Sequence, residues 1–209
     1  MRVLGTVGLP GSGKGELAAV AREEGIPVVT MGDVIRQACR DRGVDPAENH
    51  GAVARALRDE NGPSAIADRS LPHIRSAVAD GDATTVVVDG IRSMVEVDRF
   101  VQAFGDNFVI VSIEAPFDQR ADRLSDRGRD GSDSDREQLR AREEREREFG
   151  MGEVIERADY RIDNTASLSA FREQARGLLE AAERNELAAY VSGESDAPIE
   201  SSQDPTESQ

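Results

Sequence analysis

The chain has 209 residues, enough for one α/β domain with a sizeable core, and its apolar runs are only a few residues long, as at Val86 to Val88 and Phe108 to Ile113. With no signal-peptide pattern at its start, it is expected to be cytoplasmic and free of membrane spans. A net charge of −15, from 41 acidic and 26 basic residues, disfavours nucleic acid and anionic membranes as partners, and the lone Cys39 excludes an intrachain disulfide or a cysteine metal site.

Arg2 to Val7 predicts a short apolar strand, then a glycine-rich turn and a helix over Glu16 to Glu24, where Leu17, Val20 and Ala21 recur at helical spacing and Gly25 ends the run. Ile26 to Thr30 predicts a second strand and Asp33 to Arg42 a second helix closed by Gly43. Helices are predicted over Asn49 to Asp59 and Ser64 to Ala79, followed by a strand over Thr84 to Val88 of the continuously apolar kind buried in parallel sheets. Phe108 to Ile113 predicts a fourth strand, Tyr160 to Ile162 a weaker fifth, and Leu168 to Ala189 one long helix packing back on the sheet. There is no internal repeat. Residues 192–209 lose apolar periodicity and read as a disordered acidic tail. The alternation predicts a three-layer α/β/α sandwich over residues 1–191 with a mainly parallel five-stranded sheet.

Gly8, Leu9, Pro10, Gly11, Ser12, Gly13, Lys14 and Gly15 have the glycine and lysine spacing of a phosphate-binding loop, placed between a predicted strand and a predicted helix. Glycines let backbone N–H groups converge on phosphates, the helix start adds its positive end, and Lys14 places a compact cation near the β- and γ-phosphates. These requirements point to a nucleoside triphosphate, read as ATP, with the choice between ATP and GTP left open. Asp89 directly follows the buried third strand, so its carboxylate is expected at the sheet's C-terminal edge, where open α/β sheets bind ligands. An Asp there also serves simply as a helix cap.

At Gly15 the loop departs from the usual Ser or Thr and resembles that of adenylate-kinase-like nucleotide kinases, although Glu16 stands where they usually carry Thr. That resemblance implies Mg2+ held largely through water, with Asp33 and Asp89 as the candidate carboxylates. Asp89-Gly90-Ile91-Arg92 resembles a shortened DGFPR stretch of the same kinases, and Thr30-Met31-Gly32-Asp33-Val34-Ile35-Arg36 resembles the segment that opens their acceptor helix. The resemblance thus implies that Gly32, Asp33, Arg36 and Arg92 bind a small phosphate-bearing acceptor, with acceptor helices over about 31–80. Met31 replaces the usual Thr, which argues against an adenylate-type acceptor.

From Arg120 to Arg147 the chain is crowded with Arg, Asp and Glu, and the glycines around Arg127, Gly128, Arg129 and Gly131 resemble hinges of a short lid, about 120–148. The resemblance makes Arg120, Arg123, Arg127 and Arg129 candidates for stabilising the migrating phosphoryl group. The competing reading is a solvated helix face, in which Arg142 with Glu146 and Glu143 with Arg147 form i,i+4 surface pairs. Ala158 to Asn164 resembles the final strand of dephospho-coenzyme A kinases. Together these matches resemble an archaeal family of nucleotide kinases related to adenylate and CMP kinases. Lys14 is the only lysine among 26 basic residues, a pattern resembling proteins from extreme halophiles, where molar salt shrinks the Debye length to roughly 3 Å and forces contacts to be close. The absence of an NKxD motif disfavours a common GTPase, leaving an ATPase switch or an assembly factor as the alternatives to a kinase. His50 and His73 have no partners at metal-ligand spacing and receive no role.

Overall fold

The computed structural model describes residues 1–79, 83–127 and 136–192. Its five strands are β1 (Arg2–Val7), β2 (Val28–Thr30), β3 (Thr85–Asp89), β4 (Phe108–Glu114) and β5 (Tyr160–Asp163), in the spatial order β2-β3-β1-β4-β5. All four pairings are parallel, so the sheet expected to be mainly parallel is entirely so. Ten helices surround it among the described residues: α1 (Lys14–Glu23), α2 (Met31–Asp41), α3 (Pro46–Asn61), α4 (Ala65–Ala79), α5 (Met94–Phe104), α6 (Phe117–Arg127), α7 (Arg136–Glu148), α8 (Met151–Glu156), α9 (Leu168–Glu183) and α10 (Leu187–Ser192).

Alternation along the central strands divides the core. Leu4, Val87 and Val111 join Leu17 and Val20 of α1 and Phe171 and Leu178 of α9 on one face. Val3, Val86 and Val88 join Ile66 and Ile74 of α4, Phe100 of α5 and Val154 of α8 on the other. Both faces are covered, which is why Val86 to Val88 of β3 reads as an unbroken apolar run rather than as an alternating one.

The predicted helix over Leu168 to Ala189 is two helices. Asn185 adopts φ 60°, its N–H donates to the Ala182 carbonyl and the Glu186 N–H to the Ala181 carbonyl at 2.7 Å, a paired termination that an asparagine supplies in place of the more usual glycine. Gly25 and Gly43 end α1 and α2 with the same pair of bonds. Strand β2 is shorter than the expected Ile26 to Thr30 and starts at Val28, because the edge pairing with β3 begins there. Helices α5 and α8 occupy segments to which the sequence reading assigned no element, and α5 places Phe100 against the rings of Phe104 and Phe108 at centroid separations of 6.5 and 5.5 Å. The glycine hinges at Gly128 and Gly131, Arg129 and the acidic tail from residue 193 lie outside the described residues.

Phe100 is fully buried between α5 and the sheet. Phe100→Ala is expected to lower unfolding stability by about 3–5 kcal/mol through lost burial and the cavity left behind, measured as a shifted urea midpoint at unchanged slope.

Candidate phosphate-binding site

Strand β1 ends at Val7, and the chain turns at once through Gly8 (φ 148°), Gly11 (φ 78°) and Gly13 (φ 118°). The glycines are required by close approach as well as by backbone angle. A Cβ on Gly8 would sit 2.5 Å from the Ile113 carbonyl oxygen, one on Gly11 2.6 Å from the Arg120 carbonyl oxygen, and one on Gly13 on top of Asn164 Nδ2. The loop is therefore seated on β4, α6 and the turn after β5, and it runs into the first turn of α1, where amides lack helical acceptors. No side chain fills the position above Gly15, whose Cβ would meet nothing within 4 Å.

Side chains brace this seat. Asn164 Nδ2 donates to the Ser12 carbonyl at 2.7 Å, while the Asn164 N–H donates to the Glu114 carbonyl at 2.8 Å. Arg120, expected as a lid arginine, is buried: its Nε donates to the Ala115 carbonyl at 2.8 Å, its Nη1 to the Pro10 carbonyl at 3.1 Å, and it forms an ion pair with buried Glu143 of α7. Arg123 Nη2 donates to the Asn164 carbonyl at 2.7 Å. Arg127 is the last residue of α6, with its side chain outside the described residues. The Ser12 hydroxyl is buried without a hydrogen-bond partner and borders a cavity of about 460 Å³ that Leu9, Phe117 and Arg120 also line. An orphaned hydroxyl and glycines with no room for a Cβ are features that a phosphate group fits.

Lys14 folds back over the loop, with Nζ donating to the Gly8 carbonyl at 2.5 Å and the Leu9 carbonyl at 3.3 Å. The residue as a whole is half-buried, but its ammonium group is desolvated. Burial pushes its pKa down to about 8, opposed chiefly by the negative charges of Asp89 and Glu146. Asp89 is at the end of β3 as expected, and accepts a hydrogen bond from Thr6 Oγ1 at 3.1 Å. Glu16 turns away from the loop and pairs with Arg172 of α9, which also holds Glu23.

On the other side of the cleft, Arg92 lies between β3 and α5. Its N–H donates to Glu96 Oε2 at 2.9 Å, and Glu96, itself buried, is paired with Arg58 at 3.2 Å, so the shortened turn is anchored from α5. Arg92 Nη1 is 3.5 Å from Glu146 Oε1, and Arg142 Nε is 3.4 Å from the same oxygen. Arg36 pairs with Asp33 at 2.5 Å on the outer side of α2. Gly32 begins that face: a Cβ there would lie 3.3 Å from Arg36 Nη1 and 3.7 Å from His50 Nε2. Burial first, then the charges of Arg36 and Arg92, hold the His50 imidazole below its ordinary pKa, against a hydrogen bond to the Gly32 backbone.

The structure thus brings Lys14, Asp89 and Arg92 to one cleft and adds Thr6, Arg142 and Glu146, which the sequence reading did not place there. Arg36 and Gly32 stand beside it with His50. Asp33 leaves from the strand end next to Asp89, since Thr30 and Asp89 are register partners, but it faces Arg36 and lines a separate groove with Gln37, Arg40 and His73. Among the described residues no three His, Cys, Asp or Glu side chains are arranged to hold a metal ion; the carboxylates whose charge reaches Lys14 are Asp89, at the strand end, and Glu146, and a hydrated Mg2+ would meet Asp89 through its waters. The i,i+4 spacing of Arg142 and Glu146 was visible, but a helix face is not visible in a spacing. Thr6 carried no signal beyond its place at the end of β1.

A glycine cradle at the end of a central strand, with a lysine folded over it, defines a P-loop protein with a kinase-like fold. The pattern of the family described as AAA domain matches residues 7–140, and the chain belongs to that family. It is 60% identical over 181 residues to a UPF0200 protein of Halobacterium salinarum, covering 87% of this chain and 94% of that one. It is 44% identical over 180 residues to a UPF0200 protein of Methanoculleus marisnigri, covering 86% and 96%. The relatives are thus archaeal and include one from a halophile. In fold it is similar to TT1252 from Thermus thermophilus (TM-score 0.59, 19% identity, 86% and 96% covered) and to shikimate kinase from Acinetobacter baumannii (TM-score 0.50, 16% identity, 90% and 96% covered). No helix among the described residues is long and apolar enough to cross a membrane.

Arg120→Ala would strand the Glu143 carboxylate in the interior and release the Pro10 carbonyl. It is expected to cost about 3–5 kcal/mol of unfolding stability, read from urea denaturation; a variant as stable as the parent would contradict the bracing role.

Proposed function

We propose that the protein is an ATP-dependent phosphotransferase of the cytoplasm that acts on a small phosphate-bearing acceptor. One observation carries this reading: Lys14 folds over a glycine cradle, with the charges of Asp89, Arg92 and Arg142 within electrostatic reach of its ammonium. When bound, ATP supplies the phosphoryl group and Mg2+ offsets its charge. Loop amides and Lys14 would bind the β- and γ-phosphates, and Asp89, aligned by Thr6, would orient the metal's waters. Asp33 would contribute to that water shell only by releasing Arg36. Arg92 and Arg36 would grip the acceptor across the cleft, with α2 to α4 as the acceptor side. Helices α6 and α7 would form the lid, where Arg123 and Arg127 are the candidates for stabilising the migrating phosphoryl group and Arg120 holds the loop's shape.

The acceptor is sought by adding AMP, CMP, UMP, GMP, dAMP and dephospho-coenzyme A one at a time in high salt and measuring ADP release. Acceptor-dependent release supports the proposal; steady hydrolysis indifferent to every acceptor would mark an ATPase switch instead. Lys14→Ala should lose about 3 kcal/mol of transition-state stabilisation, roughly a hundredfold in kcat/KM, and unchanged turnover would sink the assignment.

Lys14 also sets a pH dependence. Its folded pKa of about 8 lies below the ordinary 10.5, so the free protein loses this positive charge as pH rises through 8. Phosphates favour the charged form, so nucleotide binding above that pH must take up a proton, and affinity should fall by up to about tenfold per pH unit. Calorimetry at pH 7 and pH 9, in two buffers of different ionisation enthalpy, counts the proton directly. No uptake at pH 9 would show that Lys14 does not meet the phosphates.

A further inference from the structure

Helix α7 sends two carboxylates, three residues apart, in two directions. Glu143 enters the protein and pairs with Arg120. Glu146 enters the cleft, where its side chain is only 13% exposed and one of its oxygens lies within 3.5 Å of both Arg92 and Arg142. Its charge reaches Lys14 as well. The orientation is not that of a free surface helix: the Glu143 pair fixes the helix near its middle, and Arg58 of α3 stacks 4.9 Å over the ring of Phe149, just past its end. An anion is therefore held between two guanidinium groups, one from the β3–α5 turn and one from α7, with the charge of Lys14 on α1 within electrostatic reach.

What can replace that anion follows from charge and geometry. A singly charged carboxylate entering between the two guanidinium groups would exchange one carboxylate for another, gaining little attraction to set against the entropy of binding. A phosphate dianion doubles the charge facing the same cations and offers three acceptor oxygens to two planar guanidinium forks. We propose that Glu146 is a specificity-determining residue: by competing for Arg92 and Arg142, it admits dianionic phosphate groups to this cleft and turns away singly charged anions. No bond to Glu146 is made or broken; its carboxylate exchanges guanidinium partners for water as the phosphate enters. The inference rests on the preceding reading for what the phosphate belongs to, and it supplies the residue by which the site would select a phosphate-bearing acceptor over a hydroxy acid. Glu146 acts through Arg92 and Arg142, so it is a positioning residue for them.

The test uses inorganic phosphate and acetate as probes, titrated at constant ionic strength against the whole protein and followed by amide NMR shifts. The parent should bind phosphate and not acetate, with affinity climbing as the dianion forms above about pH 6–7. Glu146→Gln should bind phosphate roughly three- to tenfold more tightly, bind acetate measurably, and show a flatter pH dependence. The gain should vanish in Glu146→Gln combined with Arg92→Gln, which pins it to this cluster rather than to the loop. Glu146→Asp, one methylene shorter and still charged, should fall between parent and Gln variant, and it carries the test if the Gln variant does not fold. Unchanged or weaker phosphate binding in the Gln variant, or a phosphate-to-acetate ratio equal to the parent's in either variant, would overturn the proposal. A non-hydrolysable ATP analogue titrated against the same proteins reads the loop separately. Analogue binding with unaltered anion selectivity defeats this inference alone, whereas no analogue binding defeats the phosphotransferase reading whatever the selectivity.

Discussion

The site depends on a loop whose glycines meet their supports with bare backbone. Gly8, Gly11 and Gly13 rest against Ile113, Arg120 and Asn164 at separations no Cβ could share, and each has a positive φ that side chains resist. At Gly8 and Gly11 the support is itself backbone, so the position of β4 and α6 is transmitted directly to the loop. Two polar side chains complete the seat, Asn164 on the Ser12 carbonyl and Arg120 on the Pro10 carbonyl. Both come from elements more than a hundred residues away in sequence, so the cradle exists only once the sheet has formed around it.

That dependence explains what could be read from the sequence and what could not. The glycine and lysine spacing is local chemistry, as are the apolar runs of β1, β3 and β4, and these were legible. The role of Arg120 was not. A sequence shows an arginine in a charged run, and only the fold shows that this one faces inward to Glu143 while Asp118 and Asp122 face water. The same holds for Glu146, whose i,i+4 spacing to Arg142 is equally consistent with a solvated helix face; what separates the two readings is Arg92, fifty-odd residues earlier on another element. Termination of α9 failed for a different reason. Asn185 is a less common left-handed stop than glycine, and the apolar pattern resumes at Leu187, so periodicity alone runs the helix through the break.

Charge is arranged at short range throughout. The chain carries an excess of acids, yet the cleft gathers Lys14, Arg92 and Arg142 against Asp89 and Glu146. Contacts at hydrogen-bond distance and half-buried pairs lose little to screening, while the long-range repulsion of a −15 chain is the component that salt removes. An acidic protein can bind anionic ligands under those conditions because the ligand meets the few cations facing it rather than the average charge of the surface. The same arithmetic gives Glu146 its effect: within such a short range, one carboxylate among three cations is a large fraction of the local field.

The lone lysine follows from the same geometry. Elsewhere the chain uses arginine for every positive side chain, and arginine's planar fork lets one side chain hold two partners at once, as Arg120 holds Glu143 and the Pro10 carbonyl and Arg172 holds Glu16 and Glu23. At position 14 the fork would not serve. The cation there must fold back within the radius of a tight turn and meet the Gly8 and Leu9 carbonyls together, a space that suits a compact ammonium at the end of a flexible stem. An ammonium can also give up its proton when desolvated, whereas a guanidinium stays charged, and this is why Lys14 is the one cation of the cleft whose charge is set by its surroundings near neutral pH. The residue that is exceptional in the composition is thus the one whose site the general solution cannot fill.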